Sequence, residues 1–188
     1  MPGKRMFDMT SAAVAIVVLS PILLGVALAV RLTSPGGSVY TSKRIGRGNC
    51  VFLMHKFRTM RTDTPQVATH LLAKADSYLT PIGGFLRKTS LDELPQLFDV
   101  LAGTMSLVGP RPALFNQDDL IKLRTEAGVH RLVPGLTGWA QVNGRDELSI
   151  PTKVQFDRVY LERRSFAFDL RILALTFLKV FGRDGVSH

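Results

Sequence analysis

The longest uncharged stretch of the chain, Met9 to Val30, has a proline near its middle, Pro21. Its length suits a transmembrane helix. Proline inside a helix removes a backbone hydrogen bond and crowds the preceding turn. Basic residues stand at both ends, Lys4 and Arg5 before the run and Arg31 after it, which favours the cytoplasmic side for both. The part before the proline measures about 18 Å at the helical rise, little more than half a bilayer core. The pattern therefore predicts a helix that enters the membrane, breaks at Ser20-Pro21 and returns to the face it came from. A spanning helix with a tolerated kink is the alternative. A signal peptide is disfavoured, because the run is long and "AVRLTSPGG" is a poor cleavage site.

A Pro-Gly-Gly turn brings the chain out of the membrane at about Thr33. Alternation in "SVYTSKRIGRGNCVFLMHKFRTM" predicts a β-hairpin turning at Gly46 to Asn49, with basic side chains on or near one surface. Asp63 to Thr80 reads as a polar loop with a short helix. Helices are expected over Leu91 to Leu101, Leu120 to Arg131 and Pro151 to Arg164. "VPGLTGWAQVNGRDELSIP" reads as a turn-rich loop. The tail "FAFDLRILALTFLKVF" is apolar, with Asp169, Arg171 and Lys179 spaced along it. It suits a helix lying in a membrane interface or, equally, an amphipathic helix facing the core. The elements add up to an α+β, predominantly helical, monotopic membrane protein with a re-entrant helix-break-helix, a small hairpin and interfacial amphipathic helices.

The chain of 188 residues can build one core, and its formal net charge of +9 calls for an acidic partner. Between Arg31 and Thr62 lie Lys43, Arg44, Arg47, Lys56, Arg58 and Arg61, with no acid among them. The single cysteine, Cys50, excludes an internal disulfide and suits a reducing compartment. His55, His70, His130 and His188 have no metal-ligand spacing. Nothing resembles a nucleic-acid reading helix or stacking platform.

Within so basic a chain, "TSLDELPQLFDVLAGTMSLVGPRP" sets two acids side by side, Asp92 and Glu93. Helix capping is the structural reading, since Ser90 and Glu93 have capping-box spacing. Pro95 conflicts with Ser90 as N-cap and tolerates Asp92 in that role. The functional reading starts from the neighbours. Arg87 and Lys88 precede the acids, and Pro110 and Pro112 stiffen the backbone around Arg111, whose fork suits a phosphate. A carboxylate among phosphate-binding cations can attack phosphorus or hold Mg²⁺.

Long ordered motifs then resemble one family, the bacterial sugar transferases, which are monotopic polyprenyl-phosphate phosphoglycosyl transferases. They run through "KRMFD", the Ser20-Pro21 break, "SPGGSVYTSKRIGRG", "HKFRTM", "GGFLRKTSLDELPQLFDVLAGTMSLVGPRP", "VPGLTGWAQVNGR" and "SIPTKVQFDRVYLERRS". The resemblance implies one phosphoglycosyl transferase domain over residues 1–188, with a re-entrant helix in 1–32 and a cytoplasmic catalytic part in 33–188. It has the look of a minimal catalytic form on the inner membrane. Asp92 is expected to attack the β-phosphate of a nucleotide diphosphate sugar, usually a UDP-sugar. Polyprenyl phosphate, typically undecaprenyl phosphate, then takes the sugar phosphate for glycan assembly. Asp92 and Glu93 would serve catalysis and Mg²⁺. Arg111 would bind the nucleotide end of the donor, and Arg87, Lys88, Arg145, Lys56 and Arg58 complete the basic substrate-binding set. Membrane lipid is an expected partner, and a homodimer is left open. Ser42 departs from the family, which often has glutamine there. Two rivals remain: a single-step transfer with Asp92 holding only metal, and a basic membrane-surface binding module.

Overall fold

The structure is a computed structural model and describes residues 2–65, 75–144 and 148–182. Its helices are α1 (Pro2–Thr33), α2 (Gly83–Lys88), α3 (Gln96–Ala102), α4 (Asp118–Glu126), α5 (Trp139–Val142), α6 (Ile150–Arg163) and α7 (Phe166–Gly182). Its strands are β1 (Val39–Ile45), β2 (Val51–Phe57), β3 (Ser106–Val108) and β4 (Gly135–Thr137). The protein is a mixed α+β chain, mostly helical, as its patterning predicts.

α1 is a single helix with Pro21 inside it. The helix is thus not interrupted at Ser20-Pro21, and it starts early enough to include "KRMFD". Pro21 has no N–H to offer the carbonyl of Val17, four residues back. Ser20 Oγ donates to that same carbonyl at 2.8 Å, so the hydroxyl occupies the acceptor that the proline leaves open. One stripe of α1 packs inward through Asp8, Ala12, Leu23 and Val30, with Ile16, Leu19 and Ala27 between them. Spacings of three and four keep these side chains on one face. On the other side Val14, Val17, Val18, Leu24, Leu28 and Leu32 are all more than half exposed.

Both ends of α1 are tied to the body. Arg5 donates to the carbonyls of Val100 and Leu101 in the last turn of α3. Lys4 Nζ lies 2.6 Å from Asp169 Oδ2 of α7, and Ser106 Oγ donates to Asp8 at 2.7 Å. At the far end Leu23 and Val30 pack with Phe57 and Leu86.

β1 and β2 form the expected antiparallel hairpin, from Val39 opposite Phe57 to Ile45 opposite Val51. A 3-10 turn at Arg47–Asn49 closes it. A second, parallel pair joins β3 to β4, of which β4 falls inside the segment expected to be a turn-rich loop. Its strands of three residues are too short to show a period, and parallel pairing leaves no local signature. Glycine is required there, because a Cβ on Gly135 would sit 2.1 Å from the Gly109 nitrogen. The main core, with Leu97, Val100, Met105, Val108 and Ile172, lies between α1, α3, β3 and α7.

Other boundaries moved for local reasons. The helix expected from Leu91 is a 3-10 turn, Leu91–Glu93, followed by α3 starting after Pro95. α4 ends before Gly128, whose φ of 75° is left-handed. Of the segment read as Asp63 to Thr80, positions 66–74 lie outside the described residues, and Ala75–Tyr78 is a 3-10 turn. α7 faces the core through Asp169 and Ile172, which are buried, and leaves Leu170, Phe177 and Leu178 exposed.

Candidate active site

The acid pair sits in the 3-10 turn, which the chain enters through a left-handed Ser90 with φ 55°. A non-glycine residue in that region is uncommon and costs roughly 1–3 kcal/mol. The capping explanation does not hold. Ser90 makes no side-chain capping bond, and α3 begins after Pro95 with no side-chain cap. Asp92 is nevertheless buried, at 7% relative exposure.

Strand β2 delivers the nearest cation. Lys56 Nζ is 2.8 Å from Glu93 Oε1 and 3.9 Å from Asp92 Oδ2. Arg111 Nη2 reaches the same Glu93 oxygen at 3.1 Å. Arg87, at the end of α2, adds a favourable field at Asp92. Asp92, Glu93, Lys56, Arg111 and Arg87 therefore converge from four separate segments. Pro110 and Pro112 are buried on either side of Arg111.

Three other expected residues stand apart from this group or outside view. Lys88 is on the exposed side of α2. Arg58 is buried at 6% exposure, and its guanidinium donates to the carbonyls of Ser34 and Pro35 and to Ser34 Oγ. It clamps the chain where it leaves α1, a different task from the substrate binding expected of it. Arg145 lies outside the described residues.

The loop that carries Arg111 is held from behind. Arg124 Nη1 donates to the Arg111 carbonyl at 2.8 Å, while its Nε and Nη2 reach Asp157 Oδ2 at 2.9 and 2.6 Å. Arg44 Nη1 donates to the Pro112 carbonyl at 3.3 Å and its Nε to Ser42 Oγ at 3.1 Å. Ser42, where the family often has glutamine, thus orients an arginine that supports the loop. Arg124 and Asp157 escaped the sequence reading. A signal existed: Asp157 falls three after Val154 and four before Leu161, a charge on the apolar stripe of α6.

The electrostatics of the two buried groups oppose each other. Burial pushes the Asp92 carboxyl above its ordinary value, with Lys56 pulling it down and Glu93 adding to the rise. Burial pushes the Lys56 ammonium below its ordinary value, with Glu93 opposing and Arg111 reinforcing the fall. Two acids and three cations leave the cluster with a net positive charge ready for a phosphate. Two adjacent carboxylates also fit Mg²⁺, which uses one or two carboxylates and takes its remaining ligands from water and substrate phosphates. Such a site can neutralise a diphosphate and present a carboxylate to it.

Comparison with known proteins gives a match over residues 1–183 to a family model described as bacterial sugar transferase. The chain is 40% identical to a UDP-glucose:undecaprenyl-phosphate glucose-1-phosphate transferase of Xanthomonas campestris pv. campestris, over 96% of this chain and 39% of that protein. It is 42% identical to the uncharacterized sugar transferase EpsL of Bacillus subtilis, over 98% of this chain and 90% of that one. Against the exopolysaccharide production protein ExoY of Rhizobium meliloti the identity is 38%, over 93% and 83%. The chain thus spans well under half the length of the Xanthomonas relative.

Proposed function

The chain belongs to the bacterial sugar transferase family, and from that premise we propose that it moves a sugar 1-phosphate from a nucleotide diphosphate sugar to polyprenyl phosphate through a covalent intermediate on Asp92. The observation that carries this reading is a buried carboxylate that caps no helix and faces Lys56, Arg87 and Arg111. The Xanthomonas relative is named for UDP-glucose and undecaprenyl phosphate, which makes a UDP-sugar the donor to try first.

Asp92 attacks the β-phosphorus, the bond to the leaving UMP breaks, and the sugar phosphate stays on the carboxylate. An oxygen of polyprenyl phosphate then attacks the same phosphorus. The bond to Asp92 breaks, leaving a polyprenyl diphosphate sugar and a free carboxylate. Lys56 and Arg111 hold Glu93 beside the nucleophile, and Arg111, stiffened by its prolines, binds the donor's phosphates. Asp92 and Glu93 would hold Mg²⁺, which when bound supplies further neutralisation of the diphosphate. Burial serves the chemistry, since a partly desolvated carboxylate reacts in a low-dielectric setting that strengthens every cation around it. The product would prime glycan assembly on the cytoplasmic face of the inner membrane.

The test is incubation with labelled UDP-sugars and Mg²⁺ in detergent without acceptor. We expect UMP release and labelled sugar phosphate on the peptide containing Asp92. UMP appearing only with polyprenyl phosphate, and no adduct, would leave the single-step transfer with Asp92 as a metal ligand. No release with any donor would favour the binding module.

A further inference from the structure

Asp92, Gln96 and Asp99 follow one another at spacings of four and three. The backbone between them keeps one hand. Leu94 (φ −54°, ψ −37°) and Pro95 (φ −59°, ψ −20°) are right-handed, and Leu94, Leu97 and Phe98 each donate to the carbonyl three residues back. The 3-10 turn therefore runs into α3 as one coil, and the three side chains share a face. All three are buried. The two at the ends have partners on β2. Asp92 is 3.9 Å from Lys56, while Asp99 Oδ2 accepts from the His55 backbone N–H at 2.9 Å and its Oδ1 lies 2.6 Å from His55 Nδ1.

Gln96, between them, is only 2% exposed, and its Nε2 has no partner among the described residues. A buried N–H group without an acceptor is costly, and each instance calls for an explanation. Methionine would fill the same space without that penalty. The amide therefore does not serve the stability of the resting fold. Four residues is the spacing at which a glutamine and an aspartate on one helical face bond to each other, with Cβ atoms about 5–6 Å apart. Helical side chains also lean toward the N-terminus, which carries Gln96 toward the acid pair and away from Asp99. Glu93 already has Lys56 and Arg111 on its Oε1. Among the described residues nothing donates a hydrogen bond to the Asp92 carboxylate, whose Lys56 contact is too long for one. A carboxylate short of a donor thus stands one turn from a donor short of an acceptor.

We propose that Gln96 is a positioning residue for Asp92, its Nε2 donating to the carboxylate oxygen that is not bonded to phosphorus. The role deepens the covalent transfer proposed above and rests on it. In the adduct one Asp92 oxygen carries the sugar phosphate, and the other is the carbonyl oxygen of an acyl phosphate. A bond to that second oxygen fixes the plane of the carboxyl group, and with it the direction in which phosphorus is presented. When polyprenyl phosphate attacks, the bond from Asp92 to phosphorus breaks and its electron pair returns to the carboxyl group, shared by both oxygens. A donor already at the second oxygen stabilises that charge as it returns. The first half-reaction runs in the opposite sense, because Asp92 gives up charge as it attacks and UMP leaves. There the same bond orients the nucleophile without an electrostatic gain. Gln96 therefore favours consumption of the adduct over its formation.

The test is Gln96→Met in the full chain in detergent, with Gln96→Leu as a second apolar occupant of different shape. Thermal melting is read beside two timed assays. In one, labelled UDP-sugar and Mg²⁺ are mixed with enzyme and the first turnover of UMP is followed. In the other, polyprenyl phosphate is then added and loss of label from the peptide containing Asp92 is followed. Both variants should melt no lower than the parent, because each removes an unpaired buried donor. The first turnover of UMP should be little changed, while loss of label slows on the order of 10- to 100-fold, the worth of one donor to a developing charge. A lower melting temperature in both variants would make Gln96 a structural residue and overturn the proposal; where only one melts lower, the kinetics of the other decide. Loss of label at the parent's rate, or equal slowing of both steps, would overturn it as well. A parent that forms no adduct would overturn the transfer reading itself, and this role with it.

Discussion

Asp92 is where a stability role and a chemical role make opposite forecasts. Burial raises its proton affinity in the folded state above that of the unfolded chain. The charged form is therefore a liability to the fold that is present in full above the raised folded value, fades as pH falls from there toward the ordinary carboxylate value of 3.8, and is gone below it. Asp92→Asn should melt no lower than the parent at pH 7.5, and the difference should shrink toward pH 4. The same variant should neither turn over nor form the adduct. A thermal scan at several pH values beside an activity assay checks both, and a variant that turns over at the parent's rate would return Asp92 to a structural role. Arg111 offers a second test at this scale. Lysine retains the charge and loses the fork, so Arg111→Lys should cost about 1.5–3 kcal/mol, roughly 10- to 150-fold in kcat/KM. A near-parental value would place Arg111 outside the donor site.

Among the elements, what could be read in advance depended on how local the cause was. The hairpin was visible because alternation and a glycine turn lie within one short stretch, and α6 and α7 because their apolar stripes repeat every three to four residues. The convergence of Asp92, Glu93, Arg87 and Arg111 was anticipated through motif resemblance, and Lys56 was drawn in with them. The β3–β4 pair was invisible because only tertiary contact creates it. Arg58 was misplaced for a related reason. A charge in a basic run looks like a ligand contact until its acceptors, here the chain after α1, are known. Arg124 and Asp157 form the least legible device, an ion pair between α4 and α6 that reaches the site only through the Arg111 carbonyl. Burial raises the Asp157 carboxyl, and Arg124 opposes that rise. Removing one partner of a buried pair strands the other, so Asp157→Ala should lower stability by about 3–5 kcal/mol. A double variant, Arg124→Met with Asp157→Leu, should recover much of that loss while the Arg111 loop, having lost its donor, leaves activity impaired. Chemical denaturation of the two variants, read beside UMP release, separates support of the fold from support of the site.

At the scale of the whole molecule the question is how a 32-residue helix with an apolar outer face meets a membrane. Straight, it would be about 48 Å long, well beyond a hydrocarbon core of about 30 Å. A spanning helix would send one end to the side opposite the body. Here the body holds both ends, Arg5 and Lys4 on α3 and α7 at the start, and Leu23 and Val30 on Phe57 and Leu86 at the finish. The buried stripe runs along the helix between those points, so only the outer face is open to the surroundings. The basic flanks add the same preference, since Lys4, Arg5 and Arg31 all favour the cytoplasmic leaflet. We propose that the helix enters and returns on one side, with Pro21 and the Ser20 bond to Val17 as the place where it can bend. In a Cys50→Ser background, single cysteines at Gly3 and Gly37 should both resist an impermeant thiol reagent applied outside intact cells and react once the cells are opened. Labelling of one site alone from outside would establish a spanning helix. Pro21→Ala restores the missing N–H, competes with Ser20 for the Val17 carbonyl and stiffens the bend. If the bend sets the topology, that variant should acquire an externally labelled fraction at Gly3 while Gly37 stays shielded. An unchanged pattern would mean that the contacts at the two ends, and not the proline, keep the helix on one side.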